Sequence, residues 1–223
     1  MEKKMRDFII FGKGDFADIL TYIIEKEMKR SVTAYMVNKE FLDEDCHYGK
    51  PVVPYEEVEY IYKPSDYAVA LGYEAHDMYK TREWLQKELS KKGFIFDNII
   101  SNTANLTNAQ LGSGNIIMQN CILAPFSKIG DGNVFWATAQ IQHHNVVGNY
   151  NCIAPGVASS GYVTIANHCF IGTNATIKNN VAIVDYTLIG AGAYVSKDTK
   201  ECDVMVPTRS VRLEKNSSFD FGH

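Results

Sequence analysis

An apolar residue recurs at every sixth position through most of the second half of the chain. From Leu111 to Val195, fourteen of the fifteen residues at this spacing are apolar, and the exception is Ser159. Four positions after each of them comes a mostly small or turn-forming residue, as at Asn115 and Ser127. Neither an amphipathic helix, with a period of about 3.6, nor an ordinary strand, with a period of about 2, sustains this pattern.

A six-residue period with one aliphatic and one small inward residue predicts a hexapeptide β-helix. Each hexad supplies a short strand and a tight turn, and three hexads close one triangular coil. A generic all-β sandwich is the alternative, but it predicts turn signals about every 8–12 residues and no six-residue register. The repeat then divides into five coils, at 111–128, 129–146, 147–164, 165–182 and 183–200.

The first half of the chain predicts a small parallel sheet flanked by helices. Residues 7–12 form an apolar run that leads into the turn Gly12-Lys13-Gly14, and an amphipathic stretch follows. A strand, a glycine turn and a helix open a βαβ unit. Further elements are predicted downstream, as strands at 31–37, 67–71 and 94–100 and a helix over about 76–91.

Charged residues are distributed unevenly between these two halves. Residues 1–100 carry 15 Lys or Arg and 19 Asp or Glu, whereas residues 101–195 carry only four charges. Surface helices turn a charged face to water, so the boundary near Ser101 separates two kinds of architecture. We predict an α/β plus all-β protein, with a small Rossmann-like βαβ domain over 1–100, a left-handed parallel β-helix over 101–200 and a C-terminal tail over 201–223.

The composition of the 223-residue chain excludes several classes of protein. A formal charge of −4 argues against a nucleic-acid binder that relies on a basic surface. No uncharged run approaches the roughly 18 apolar residues of a membrane-spanning helix. The five cysteines have no CxxC spacing and fit reduced thiols better than a disulfide framework. We therefore expect a cytoplasmic protein without a membrane span.

The first glycine turn has the pattern Gly-x-Gly-x-x-Ala, from Gly12 to Ala17. Such a turn suggests a phosphate group held at a helix N-terminus, where free N–H groups and the helix dipole favour an anion. The second predicted strand ends in Val37-Asn38, so the ribose-binding carboxylate of a dinucleotide enzyme is absent. Two interpretations stay open: binding of part of a nucleotide, such as the diphosphate of a nucleotide-linked sugar, or only a tight strand-to-helix connection.

Three of the six histidines fall within the repeat, and their positions in the hexad distinguish them. His143 is the third residue of its hexad and is predicted at a corner, where a side chain can face a neighbouring subunit. His168 is the fourth residue of its hexad and is predicted to be an exposed turn residue. A zinc site like that of β-helix carbonic anhydrases does not fit this spacing, because His143 and His144 are adjacent and His168 lies four hexads beyond them. We therefore predict no metal.

His143 is the best candidate for a general base. Transfer of an acyl group from a thioester to an amine or hydroxyl requires a proton to leave the nucleophile, and neutral imidazole is suited to accept it near pH 7. Gly161 follows His143 by three hexads, which is one full coil, so it is predicted to lie beside His143. A glycine there would let the thioester carbonyl approach a backbone N–H that stabilises the oxyanion.

The chain resembles the hexapeptide-repeat sugar acyltransferases of the sialic-acid O-acetyltransferase and bacillosamine-pathway N-acetyltransferase type. The resemblance covers nearly the whole chain. It is carried by the segments 9–14 (IIFGKG), 71–73 (LGY), 92–94 (KGF), 143–148 (HHNVVG), 153–156 (IAPG), 170–175 (FIGTNA) and 189–193 (IGAGA). In that family the βαβ domain holds a nucleotide-sugar, the β-helix trimerises, and acetyl-CoA lies in the groove between adjacent β-helices.

The resemblance implies roles for individual residues. The family's base falls on His143 and its oxyanion donor on Gly161. Acetyl-CoA contacts map onto Cys152, Gly161, Thr173 and Ala191. Nucleotide-sugar contacts map onto Gly12, Gly14, Asp15, Phe16 and Gly72. Many members carry Asp or Glu directly after the base, where this chain has His144.

The leading hypothesis is an acetyl-CoA-dependent N-acetyltransferase that acts on the amino group of a dTDP- or UDP-linked deoxyamino sugar, as a homotrimer. O-acetylation of a sugar hydroxyl is the alternative within the same class. A non-catalytic trimeric scaffold is the alternative from another class. The two enzymatic hypotheses use the same base, and acetyl-CoA as the acyl donor distinguishes both of them from the scaffold.

Overall fold

The computed structural model of the protein describes residues 5–73 and 77–208, and its first part is a five-stranded sheet. The strands are β1 (Asp7–Phe11), β2 (Val32–Val37), β3 (Cys46–His47), β4 (Lys50–Pro54) and β5 (Tyr67–Leu71). They lie in the order β3-β4-β2-β1-β5, and all pairs are parallel except the hairpin of β3 and β4. The predicted small parallel sheet is confirmed for β1, β2, β4 and β5, and the short antiparallel β3 makes the whole sheet mixed.

Helices cover both faces of this sheet, which explains why its central strands are apolar without alternation. They are α1 (Asp15–Tyr22), which continues as a π-helical turn (Ile23–Glu27), α2 (Val58–Ile61) and α3 (Lys80–Lys91). Helical 3₁₀ turns lie at Lys39–Phe41, Tyr55–Glu57 and Pro64–Asp66. The central strand β1 is buried from Phe8 to Phe11, with α1 packed on one of its faces and α3 on the other.

The rest of the described chain forms short parallel strands that stack in three sheets. In chain order they are β6 (Ile99–Ile100), β7 (Gln110–Leu111), β8 (Ile116–Ile117), β9 (Ile122–Leu123), β10 (Lys128–Ile129), β11 (Val134–Phe135), β12 (Gln140–Ile141), β13 (Val146–Val147), β14 (Cys152–Ile153), β15 (Ala158–Ser159), β16 (Thr164–Ile165), β17 (Phe170–Ile171), β18 (Thr176–Ile177), β19 (Ala182–Ile183), β20 (Leu188–Ile189), β21 (Tyr194–Val195) and β22 (Val204–Met205).

Each sheet is one side of a triangular prism. The first face contains β7, β10, β13, β16 and β19, the second β6, β8, β11, β14, β17, β20 and β22, and the third β9, β12, β15, β18 and β21. From β7 to β21, neighbouring strands of a face pair at a spacing of three hexads, as Phe135 does with Ile153, so the predicted coil length is confirmed. The end strands β6 and β22 pair at slightly shorter spacings. The strand predicted over 94–100 is divided: Ile95 bridges to Ala68 in the first sheet, while β6 already belongs to the prism.

The interior of the prism explains both the repeat and its one interruption. The aliphatic residues of successive coils are stacked and buried, and small residues such as Ala139 and Ala175 fill the space beside them. Ser159 takes an aliphatic position, but its hydroxyl is hydrogen-bonded to the buried amide of Asn145. A polar group can lie in the interior when it has such a partner.

The first domain packs on the second face of the prism. Phe16 of α1 contacts Trp136, with ring centroids 5.5 Å apart, and shares a buried cluster with the outward side chains Val134 and Cys152. The buried Arg82 of α3 donates hydrogen bonds to the carbonyls of Leu71 and Gly132, which belong to the two domains. The first domain therefore covers the second face of its own chain from β8 to β14, whereas Val204 at the far end of this face is exposed.

The prediction that His168 is an exposed turn residue is wrong. It lies in a turn, but its side chain is only 6% exposed and is stacked between Tyr150 and Tyr186. Its Nδ1 lies 2.9 Å from the carbonyl oxygen of Met78, and its Nε2 lies 3.2 Å from a carboxylate oxygen of Glu83. Its position in the hexad predicts the turn, but it cannot show that α3 covers this turn.

Candidate functional site

His143 lies in the turn between β12 and β13, on the edge where the third face meets the first. We call this edge 3–1; it also carries Gly161, one coil later. A Cβ built on Gly161 would fall 2.5 Å from Cε1 and 2.8 Å from Nε2 of His143. The imidazole therefore occupies the space that a side chain at position 161 would need, and the sequence-predicted neighbours are brought together.

The backbone of Gly161 has an available donor next to this ring. Its carbonyl accepts a hydrogen bond from the N–H of Asn180, but its own N–H has no acceptor among residues 5–73 and 77–208. Gly161 is partly accessible and His143 is exposed, so both can be reached from outside the prism. Edge 3–1 thus offers an exposed imidazole and a free N–H donor side by side.

Three ring side chains follow one another on the same edge at intervals of one coil. The His144 ring is stacked on Tyr162 at 4.8 Å and packs against Phe126 at 4.9 Å. His143 meets the Tyr162 ring edge to face, with centroids 5.3 Å apart. The Nδ1 atoms of His143 and His144 are 3.1 Å apart, which is a hydrogen-bond distance.

A cavity of about 370 Å³ opens at the carboxyl ends of β1, β2 and β5. Ligands of open α/β sheets bind in this position. The cavity is lined by Phe11, Gly12, Val37, Asn38, Phe41, Tyr73, Thr81, Trp84 and Leu85. Among the predicted substrate residues Gly12 lines it directly, and Phe11 and Tyr73 belong to the segments 9–14 and 71–73 that carry the family resemblance. Phe41, in the loop after β2, and Trp84, in α3, lie outside those segments.

The two glycines at this edge are required by close packing. A Cβ on Gly12 would fall 2.6 Å from the carbonyl oxygen of Gly72, and Gly12 has a φ of +99°. A Cβ on Gly72 would fall 2.8 Å from the side chains of Ala17 and Ile10. The predicted pair Gly12 and Gly72 is thus brought together where β1 and β5 end.

The other predicted substrate residues lie at the start of α1. Gly14 precedes the helix as its N-cap residue, with a φ of −90°, and Asp15 begins it; both are exposed or partly so. Phe16 is buried, and its ring faces Trp136 of the prism rather than the cavity. Only the backbone of Phe16 is therefore available at this helix end.

The predicted cofactor residues do not all lie near His143 within one chain. Thr173 and Ala191 are exposed at the turns where the second face meets the third, which is a different edge of the prism. Cys152 is buried on the second face, beneath the first domain. Of this predicted set, Gly161 alone shares edge 3–1 with His143.

Two of the buried cysteines, Cys121 and Cys169, are poor nucleophiles. Burial raises the pKa of Cys121 and of Cys169 to about 11. Each thiol also lies near backbone carbonyls, with Sγ 3.1 Å from the oxygen of Trp136 and 3.2 Å from that of Val184 respectively. A thiol at these sites stays protonated near neutral pH, whereas the reactive form of cysteine is the thiolate.

Two kinds of feature do not occur among the described residues. Over 5–73 and 77–208, no group of three or more His, Cys, Asp or Glu side chains is arranged to hold a metal ion. Within the same residues, no helix combines the length and the apolar character needed to cross a membrane.

Solved structures of bacterial acetyltransferases share this architecture over nearly their whole length. The acetyltransferase domain of PglB from Neisseria gonorrhoeae FA1090 superposes with a TM-score of 0.80 at 18% sequence identity, and the match covers 91% of this chain and 97% of that one. PerB from Caulobacter crescentus, in complex with CoA and GDP-perosamine, gives a TM-score of 0.80 at 21% identity, with 91% and 94% covered. This chain has the fold of these acetyltransferases.

The match confirms the predicted fold class, a βαβ domain followed by a left-handed parallel β-helix. It also agrees, at the level of fold, with the resemblance to sugar acyltransferases that the sequence motifs indicate. The PglB domain has a further structure in complex with acetyl coenzyme A, which superposes equally well on this chain. No protein-family model and no curated protein sequence matches the chain.

Proposed function

We propose that the protein is an acetyl-CoA-dependent N-acetyltransferase that acts on the amino group of a nucleotide-linked deoxyamino sugar. The observation that carries this proposal is that the His143 imidazole fills the space that a side chain on Gly161 would occupy, beside a free N–H. Acyl transfer needs a base for the nucleophile and a donor for the oxyanion, and these two residues supply both. The shared fold with PglB and PerB supports the same reaction class.

In the proposed reaction the amine nitrogen attacks the thioester carbonyl while Nε2 of His143 accepts the proton that leaves the amine. The N–H of Gly161 donates a hydrogen bond to the oxyanion, and one such donor contributes about 3–4 kcal/mol in other enzymes. The carbon–sulfur bond then breaks, and His143 returns the proton to the thiolate that leaves. Because only a neutral amine attacks, the rate should rise toward alkaline pH.

The cavity of the first domain is the proposed site of the nucleotide. Trp84, Phe41 and Tyr73 offer aromatic surface for a base, and the amide of Asn38 offers a donor and an acceptor in place of a carboxylate. The backbone N–H groups of Gly14, Asp15 and Phe16, at the start of α1, would hold the diphosphate.

The proposed active site requires a second copy of the chain. The first domain covers the second face of the prism, and edge 3–1 is the edge that does not border this face. The nucleotide cavity and His143 of one chain therefore lie on different sides of the prism. We propose a homotrimer in which the first domain of one chain faces His143 of the next, with Thr173 and Ala191 contacting acetyl-CoA in the same groove. Cys152 would contribute there through its backbone only.

The test is acetyl transfer from acetyl-CoA by the purified chain to a panel of dTDP-, UDP- and GDP-linked amino sugars, followed by mass spectrometry of the sugar. We expect one acetyl group on the amine and a loss of at least about 10²-fold in His143→Ala. Full activity of His143→Ala contradicts the assigned base. Acetylation of a hydroxyl instead of the amine contradicts N-transfer, and no product together with no thermal stabilisation by acetyl-CoA contradicts the enzyme class.

A further inference from the structure

The residue after the proposed base makes a contact that the reaction above does not use. The Nδ1 atoms of His143 and His144 are 3.1 Å apart, and their rings are nearly perpendicular, at 85°. A hydrogen bond between two nitrogens needs one proton, so one Nδ1 donates and the other accepts. The two rings therefore constrain each other's tautomer.

The direction of this hydrogen bond decides whether His143 can act as a base. A neutral imidazole carries one proton. When His143 donates from Nδ1, its Nε2 has a free lone pair on the side of Gly161, and the proton of His144 lies on the far nitrogen. When His143 accepts, its Nε2 is already protonated and cannot take a proton. When both nitrogens of His143 carry a proton, its Nδ1 can only donate, and the Nδ1 of His144 accepts.

His144 is also held in place. Its ring lies between Phe126 and Tyr162, one coil on either side, and the backbone of all three residues is left-handed, with φ of 67° at Phe126, 59° at His144 and 60° at Tyr162. The same left-handed backbone occurs at this turn position in other coils, for example at Tyr150 and Asn174, so it belongs to the turns of the β-helix and is not specific to this edge. The side chains of Phe126 and Tyr162 are 58% and 56% exposed, so their stack is not explained by burial in a core.

We infer that His144 is a positioning residue, which accepts the Nδ1–H hydrogen bond of His143 and so keeps Nε2 free to take the proton from the substrate amine. This inference rests on the proposed function of His143. It assigns to a neutral imidazole the role that a carboxylate has beside the histidine of catalytic triads. Tyr162 is the titratable side chain that contacts both rings.

The test compares His144→Phe, which keeps a stacked ring without an acceptor, with His144→Asp, which supplies a carboxylate acceptor. We expect His144→Phe to lower kcat by about 10- to 100-fold, the effect of losing a hydrogen bond to a charged group, without change in the KM for acetyl-CoA. His144→Asp should retain most of kcat, and the acidic limb of its pH profile should move to higher pH because a carboxylate stabilises the imidazolium. Wild-type kcat in His144→Phe, or equal losses in both variants, overturns the inference.

A second measurement does not depend on turnover. In protein labelled with ¹⁵N in the histidine rings, with His143 assigned by its loss in His143→Ala, the ring shifts report which nitrogen carries the proton. We expect neutral His143 to be protonated on Nδ1 in the wild type and on Nε2 in His144→Phe. Protonation on Nε2 in the wild type overturns the inference even in an active enzyme. If the ring shifts are as expected but the protein transfers no acetyl group, the proposed function is contradicted and the hydrogen bond from His143 to His144 is not.

Discussion

The imidazole of His143 fills the space beside Gly161 that a side chain there would need, so that a methyl group at position 161 would collide with the ring. The ring is the end of an exposed side chain and can move, whereas the backbone of Gly161 has no positive φ that would forbid alanine. Gly161→Ala should therefore displace the base without disturbing the fold. This relationship allows a test that separates catalysis from stability.

For Gly161→Ala we expect a loss in kcat of about 10²-fold or more, because the base moves and the approach to the N–H is blocked. The urea midpoint should stay close to that of the wild type. Acetyl transfer is measured together with urea denaturation. Retained activity would mean that the acyl group does not approach Gly161, and a large loss of stability would mean that the ring cannot give way.

The proposed trimer predicts complementation between two inactive variants. His143→Ala lacks the base, and Trp84→Glu places a negative charge in the cavity proposed for the nucleotide while altering only a half-exposed side chain. If each site combines the cavity of one chain with His143 of the next, random co-assembly restores about a quarter of the sites. The measurement is acetyl transfer after the two variants are unfolded and refolded together. No recovery in mixed trimers contradicts a site shared between chains.

The fold could be predicted from the sequence because its strongest signals are local and repeated. The hexad spacing predicted the coil, and the coil predicted that Gly161 lies beside His143. The hairpin of β3 and β4 was not predicted, because its strands are short and its pairing depends on turn geometry.

The remaining features of the site depend on contacts between distant segments, which a periodic pattern does not contain. The burial of His168 depends on α3, a helix that belongs to the first domain and precedes the whole repeat in the chain. The aromatic lining of the cavity proposed for the nucleotide likewise combines the end of β1, a loop after β2, a loop after β5 and one side of α3. Both depend on how the first domain folds and where it packs on the prism.

Substitution of Arg82 tests how much the contact between the two domains contributes to the free energy of unfolding. Its side chain is 1% exposed, and burial lowers its pKa to about 10, because burial disfavours the charged guanidinium. Arg82→Met removes this charge but leaves the carbonyls of Leu71 and Gly132 without their donor. We expect a net loss of about 2–4 kcal/mol in the free energy of unfolding, measured in urea. Lys87→Met, on the exposed side of the same helix, is the matched control; equal stability of the two variants contradicts the prediction.

The exposure of the five cysteines predicts how many of them react with a thiol reagent in the native protein. Cys46 and Cys202 are exposed, whereas Cys121, Cys152 and Cys169 are buried. We expect iodoacetamide near neutral pH to label two cysteines in the native protein and all five in urea, as counted by mass spectrometry. Labelling of native Cys152 that acetyl-CoA suppresses would instead show that its side chain reaches the cofactor groove.

Stability should fall at alkaline pH because buried groups keep their protons in the folded state. Burial raises the pKa of Tyr150 to about 12 and those of Cys121 and Cys169 to about 11, from ordinary values of 10.0 and 9.0. As pH rises through these ordinary values the unfolded chain loses protons first, so each group lowers the free energy of unfolding by up to about 1.4 kcal/mol per pH unit until its folded pKa is reached. The urea midpoint should be constant between about pH 6 and about pH 8 and decline above about pH 9. Alanine takes the same hexad position as Cys169 at Ala139 and Ala175, so Cys169→Ala should fold and show a shallower decline; an unchanged decline would mean that this thiol does not contribute.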